Sequence, residues 1–238
     1  MMYKNYLFDL DGTLLPMDMD AFTKFYFASI SKRFSPVLNL EPEAIINAIW
    51  AGTKAMYKNN GEKFNKDVFW ETFSAVTNMD ATEYIEQFDD YYLNEFICTK
   101  EATFPTPFAK KSIDYIKENG GRIICATNPI FPKVSTYRRL EWAGLNPEDF
   151  EFITVYENCK SCKPNLHYYQ SICETCNIKP EESIMIGNDV DEDLCSSTLG
   201  FDTYLITDTI VNRENKDFSE HKNGTWEEFY NSLINSEV

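Results

Sequence analysis

The stretch LFDLDGTL, residues 7–14, places two aspartates, Asp9 and Asp11, one leucine apart at the end of a short apolar run. Carboxylates are costly to bury unless paired or metal-bound. The preceding YLF reads as a buried strand of an α/β sheet, and open α/β sheets hold their ligands at the carboxyl ends of their strands. The plain alternative is a strand followed by an Asp-Gly turn. Three further groups shift that balance. RIICAT ends in Thr127 and is followed by Asn128; Lys163-Pro164 follows FITVY; SIMIG runs into Asn188, Asp189, Val190, Asp191, Glu192 and Asp193. Taken singly, Thr127 is a strand-end hydroxyl, Lys163 a solvated lysine, and the acid cluster a helix N-terminus favoured by the dipole. Together, an acid pair, a hydroxyl, an ammonium and an acid cluster at four strand ends converge on one edge of a parallel sheet.

The elements that must position these groups follow from periodicity. Residues 3–8 form the first strand. Residues 17–98 then turn helical: DMDAFTKFYFASISKRF, EPEAIINAIWAGTKAMYK, NKDVFWETFSAVT and DATEYIEQFDDYYLNEFI carry apolar residues at helical spacing. Asp18, Glu41, Asn65 and Asp80 stand where N-caps or first-turn acids belong, and Ser35-Pro36, Asn60-Gly61 and Asn78 supply turn chemistry at the joints. Beyond Pro105 and Pro107, helices and strands alternate: FAKKSIDYIKENGG, RIICAT, FPKVSTYRRLEWAGL, FEFITVY, NLHYYQSICETCNI, SIMIG, DEDLCSSTLG, DTYLIT and TWEEFYNSLI. That rhythm predicts an α/β fold, a parallel sheet with helices on both faces. The first strand has no partner within the helical block and must join this sheet. The block is therefore an insertion: a core from 1–16 and 99–238, and an α-helical bundle from 17–98.

The bulk numbers set limits. At 238 residues, 43% hydrophobic and 15% aromatic, the chain can bury a sizeable core. A net charge of −16 argues against nucleic-acid or anionic-membrane partners, which need a basic surface. A small anionic substrate needs only local positive charge. No apolar run approaches the ~18 residues of a membrane span, and Asp9 and Asp11 interrupt the region where a signal peptide would be apolar. The expectation is a cytoplasmic protein.

The four motifs, DLDGT at 9–13, the strand ending in Thr127, Lys163-Pro164 and GNDVDED at 187–193, resemble in order and spacing those of the haloacid dehalogenase superfamily of hydrolases. The resemblance spans nearly the whole chain. It implies a Rossmann-like core, a Mg2+ cofactor and an aspartyl-phosphate intermediate. It makes Asp9 the nucleophile and Asp11 the group that protonates the leaving oxygen and later deprotonates water. It implies that Gly12 lets backbone N–H groups face the phosphate, that Thr127 and Asn128 lie against the substrate, and that Lys163 offsets developing charge. The expected metal set is Asp9, Asp11, Asn188, Asp189 and Asp193. Family members commonly carry aspartate where this chain has Asn188. Either the Asn188 amide oxygen or Asp189 takes that duty, and Asp193 orders water or Lys163.

Within the superfamily, a dehalogenase lacks the acid two residues after its nucleophile, so Asp11 points to a phosphatase acting on a small phosphorylated metabolite. A phosphomutase keeps both aspartates and stays open, as does a non-catalytic or zinc-bearing module on the same fold. Cys159-x2-Cys162 and Cys173-x2-Cys176 look like half-sites for zinc, but ten residues separate them, against the usual ~15–20, and Lys163-Pro164 lies between. Cys173 and Cys176 read instead as small core residues on a helix face. The helical insertion is expected to cap the site. Phe22, Phe25, Tyr26, Trp50, Tyr57 and Trp70 are expected mostly in the bundle core, with Lys24, Lys54 and Lys58 as candidate substrate contacts. Oligomeric state is not readable from the sequence.

Overall fold

A computed structural model describes residues 3–236; the outermost residues of the expected core segments, 1–2 and 237–238, lie outside the described residues. Six parallel strands form one sheet: β1 (Asn5–Phe8), β2 (Arg122–Cys125), β3 (Phe152–Ile153), β4 (Ser183–Gly187), β5 (Asp202–Ile206) and β6 (Lys222–Gly224), in the order β3-β2-β1-β4-β5-β6. The strand carrying the acid pair is thus central, as its unbroken burial requires.

Strand alternation sorts the side chains between two faces. Leu7 stands beside Ile124 and Met185 in register. These three share a cluster with Tyr168, Tyr169 and Ile172, on the helix Leu166–Cys176. On the other face Tyr6 and Phe8, with Ile123, Cys125, Ile184 and Ile186, pack with Ile113, Ile116 and Phe229, from the helices Pro107–Glu118 and Trp226–Ile234. Helices therefore cover both faces, as the alternating pattern predicts.

In chain order the helices are α1 (Met19–Leu38), α2 (Pro42–Tyr57), α3 (Asn65–Thr77), α4 (Ile85–Asn94), α5 (Pro107–Glu118), α6 (Lys133–Trp142), α7 (Leu166–Cys176) and α8 (Trp226–Ile234). The first four lie between β1 and α5. Where the chain leaves for them and returns, its two segments run side by side: Asp18 N–H donates to Ala102 O at 2.9 Å and Phe104 N–H to Pro16 O at 2.9 Å. Asp18 caps α1 by accepting from the Asp20 and Ala21 amides, and Asn78 closes α3 in the left-handed conformation. Among the described residues no helix is long and apolar enough to cross a membrane.

Three expectations need correction, and one strand was not expected. Ser35-Pro36 is not a joint. Pro36 lies inside the last turn of α1, held helical by buried Phe34 and Leu38 on either side, and the turn comes at Asn39. Asn65 does not cap, since Phe64 occupies the cap position of α3; Glu41 does stand at the cap position of α2, without a side-chain cap bond. Residues 191–200 form a short 3-10 segment, Leu194–Leu199, rather than a full helix. The Lys222–Gly224 edge strand, with no apolar side chain, gave no periodic signal.

Candidate active site

Asp9 follows β1 directly, and its amide donates to Ile186 O at 2.9 Å, extending the sheet register by one residue. The chain then turns at Gly12, whose φ of +87° is left-handed. A Cβ there would also come within 2.4 Å of the Asn188 amide nitrogen, so glycine is required twice over. Thr127 and Asn128 leave the end of β2, Lys163 lies between β3 and α7, and Asn188 to Asp193 follow β4. The parallel topology brings all four segments to one edge, as the motif spacing predicts.

Lys163 lies behind the acid pair, fully buried. Its ammonium donates to Asp9 Oδ1 at 2.9 Å and to Asp193 Oδ1 at 2.6 Å. Burial alone would discharge it, but Asp193 and Asp9 outweigh that and hold its proton firmly. Burial is also the largest influence on Asp9, raising its carboxyl to about 8, with Asp193 and Asp11 adding to the rise and Lys163 opposing it. The other Asp193 oxygen accepts from the Asp189 amide at 3.0 Å. Both Asp193 oxygens are therefore engaged in holding Lys163 and the loop. Gly187 makes room for this, since a Cβ there would lie 2.0 Å from the Asp193 carboxylate.

Asn188 brackets two loops. Its Oδ1 accepts from the Thr13 hydroxyl at 3.0 Å, and its Nδ2 donates to Thr209 O at 2.7 Å. Asp189 is more heavily committed. Its Oδ1 accepts from the Asp191 and Glu192 amides at 2.9 and 3.0 Å, and its Oδ2 pairs with Arg213 at 2.6 Å. Asn128 donates to Glu192 Oε2 at 2.9 Å and to the Tyr57 hydroxyl at 3.1 Å, joining α2 to the sheet edge. Burial raises the Glu192 carboxyl to about 7.

Asp11 pairs with Arg139, a fully buried guanidinium that also lies 4.4 Å over the Phe131 ring. The other oxygen, Asp11 Oδ1, is buried without a partner, as is Asn128 Oδ1. Sequence reasoning missed Arg139 and Arg213. Arg139 lies one turn beyond Ser135 on the buried face of α6, but its neighbour Arg138 masked that phase. Arg213 lies in an aperiodic loop and carries no local signal.

The donor set lining the cavity is one of oxygens: the carboxylates of Asp9 and Asp11, the latter with its Oδ1 unpartnered, and the Asn188 amide oxygen. Among the described residues, no three acidic, imidazole or thiol groups form a ready-made cage. Such a set fits Mg2+, which takes one or two protein carboxylates and completes its octahedron with water and phosphate oxygens. The paired CxxC cysteines are packing residues here: Cys159, Cys173 and Cys176 pack with Ile172 and Ile178, and Cys162 with the other cluster.

Asp9, Asp11, Thr127, Asn128, Asn188, Asp189 and Asp193 line a cavity of about 330 Å³ closed by residues of α1 to α4. Here one expectation fails. Lys24, Lys54 and Lys58 are exposed and do not line it. Of the aromatics expected mostly in the bundle core, Phe22, Tyr26 and Trp70 are buried there and also line the cavity, whereas Trp50 and Tyr57 line it from half-exposed positions. The insertion is wide enough to leave space between its helices, and aromatic rings wall that space.

A parallel sheet with an acid pair at the end of its central strand, an ammonium behind it and an acid loop beside it defines a class of hydrolase. The family described as haloacid dehalogenase-like hydrolases matches residues 3–194. The chain belongs to that family and is a hydrolase of its kind. A HAD phosphatase from Thermococcus onnurineus has a similar fold, at TM-score 0.62 and 16% identity, covering 99% of this chain and 100% of its own. So does the HAD-hydrolase YfnB from Bacillus subtilis, described as bound to magnesium, at 0.58 and 19%, with 98% and 100% covered. A 2-haloacid dehalogenase from Pseudomonas syringae pv. Tomato is similar at 0.63 and 12%, with 100% of each chain covered. No curated protein matches the sequence.

Proposed function

We propose that the chain is a Mg2+-dependent phosphatase that hydrolyses a small phosphomonoester through a phosphoryl group carried on Asp9. The observation that carries this reading is the placement of Asp9 and Asp11 together on the cavity, with Lys163 2.9 Å behind Asp9. Phosphate-monoester hydrolysis is slow enough to call for accelerations up to ~10²¹-fold, and a carboxylate nucleophile divides it into two easier steps. An Asp9 oxygen attacks phosphorus and the ester P–O bond breaks, while the Asp11 carboxyl gives its proton to the leaving oxygen. Water then attacks the same phosphorus, Asp11 takes the water's proton, and the P–O bond to Asp9 breaks. Phosphate leaves and both carboxyls return to their starting states.

Lys163 offsets charge on the phosphoryl oxygens from behind Asp9, and Thr127 donates a hydrogen bond to them. Gly12 keeps the turn tight enough for backbone N–H groups to face the group. Asp193 positions Lys163. The residues that would hold Mg2+ are Asp9, Asp11 and Asn188; bound there, the ion screens the repulsion between the Asp9 carboxylate and the phosphate. Asn188 is favoured over Asp189 because its Oδ1 accepts a single hydrogen bond, from Thr13, whereas Asp189 holds two amides and the Arg213 guanidinium. Residues 17–98 serve as a cap that closes the cavity and excludes water.

Relatives of this fold include both phosphatases and a dehalogenase. Asp11 favours the phosphatase, since a halide leaving group needs no proton donor. A mutase that passes phosphate between sugar positions needs a second anion site. Among the described residues, the basic side chain lining the cavity is Arg213, already paired with Asp189. Phosphate release from a panel of phosphomonoesters, with Mg2+ and with excess chelator, tests the reading. Mg2+-dependent release that vanishes in Asp9→Asn is expected; metal-independent release, or full activity in folded Asp9→Asn, contradicts it.

A further inference from the structure

The groups at the strand ends grip a phosphoryl group and say nothing of what it is attached to. The far end of the same cavity does. Thirteen of its lining residues come from 19–92, and none carries a charge, although that segment is rich in lysines and acids at its surface. The rings are left with little polar capacity. The Tyr26 and Tyr92 hydroxyls bond each other at 2.7 Å, and the Trp70 indole N–H is directed to the Tyr156 hydroxyl at 3.4 Å. The Tyr57 hydroxyl is held by Asn128 and Glu192, which leaves the Thr23 and Thr53 hydroxyls and one hydroxyl proton of the Tyr26–Tyr92 pair as the polar capacity of this wall.

Such a wall discriminates. A sugar would surrender water from several hydroxyls and find few partners, and a carboxylate would meet only Arg213, already paired with Asp189. A flat ring instead gains apolar contact and edge-to-face packing on every side. A volume of about 330 Å³ lies at the low end of the ~300–1,000 Å³ of small-molecule sites, so one modest ring system with its phosphate fills it. We infer that the substrate is the phosphate ester of an uncharged, ring-bearing, largely apolar alcohol, rather than a sugar phosphate or a phosphorylated acid. This rests on the phosphatase reading and specifies its substrate class.

The test compares kcat/KM for benzyl phosphate, glucose 6-phosphate and 3-phosphoglycerate, all esters of primary alcohols with Mg2+ present. Benzyl phosphate is expected to exceed the other two by about 100-fold, the effect of burying one phenyl group. Trp50→Ala, at a half-exposed position where folding is little affected, is expected to narrow that ratio by about 10-fold. Turnover of all three with an equal or reversed ranking overturns the substrate class while leaving the phosphatase reading standing. If none is turned over, calorimetry with benzylphosphonate and inorganic phosphate decides. Tighter binding of benzylphosphonate by about 10-fold or more upholds the apolar site and removes the phosphatase reading; equal binding removes the apolar site as well.

Discussion

Arg139 has no solvent to fall back on. It is fully buried, pairs with Asp11, and bonds the Ser135 carbonyl and Thr136 hydroxyl of its own helix at 3.4 and 3.3 Å. Removing one partner of a buried pair leaves the other uncompensated, which costs ~3–5 kcal/mol. Asp11 keeps some exposure toward the cavity, so Arg139→Leu is expected to lower stability by about 3 kcal/mol, measured by urea denaturation. A change within 0.5 kcal/mol, the ~range of neutral surface substitutions, would mean the pair is not structural. Asn188 and Asp189 make a second residue-scale test. Asn188→Ala should weaken Mg2+ binding more than Asp189→Asn does, because the latter keeps an oxygen for the Asp191 and Glu192 amides. Calorimetric Mg2+ titrations give the order, and the reverse order would assign the metal to Asp189. At this scale Asp9 and Asn188 were legible because each directly follows a strand, and Thr127 because it lies two residues beyond one. Arg139 and Arg213 were not, because their roles come from contacts between distant segments rather than local spacing.

The α3 start shows how an element can depend on the tertiary fold. Its first N–H groups have no side-chain cap. Instead the Asn65 and Lys66 amides donate to Cys159 O and Tyr156 O, each at 2.8 Å, on the core loop that leads to Lys163. The Asn65 side chain, fully buried, donates to Pro129 O at 3.1 Å and accepts from Asn59 at 2.8 Å. The residue type suited to a helix cap is used here to fasten the insertion to the core. Asn65→Ala leaves those buried partners unsatisfied and should cost ~1–3 kcal/mol. Hydrogen exchange at the Asn65 and Lys66 amides should quicken with it. Unchanged exchange would show that α3 is held by packing alone. Periodicity revealed all four inserted helices, since each buries one stripe. It could not reveal Lys222–Gly224, which joins the sheet through backbone bonds alone, nor the helical placement of Pro36, which packing of Phe34 and Leu38 enforces.

For the whole molecule, burial and charge pull against each other at one place. Asp9 and Asp193 share a single buried ammonium, and Asp11 beside them pairs with buried Arg139, in a chain of net charge −16. A divalent cation bound there stabilises the folded state, by about 2.7 kcal/mol at a hundredfold excess over Kd. For a chain of this size that corresponds to a rise in Tm of about 5 °C or more, which Asp9→Asn should largely abolish; an equal rise in both proteins would place the ion elsewhere. The layered architecture was legible because alternation of helix and strand leaves few other solutions. The cavity was not, because whether an aromatic ring packs inside a bundle or faces a space depends on how far apart the helices settle. The central claim is that Asp9 carries the phosphoryl group. Acid-quenched peptide mass spectrometry after rapid mixing with acetyl phosphate and Mg2+ tests it most directly. One phosphoryl group on the peptide containing Asp9, absent in Asp9→Asn and absent with chelator, is the expected result; turnover of a phosphomonoester with no phosphoryl group on that peptide would contradict it.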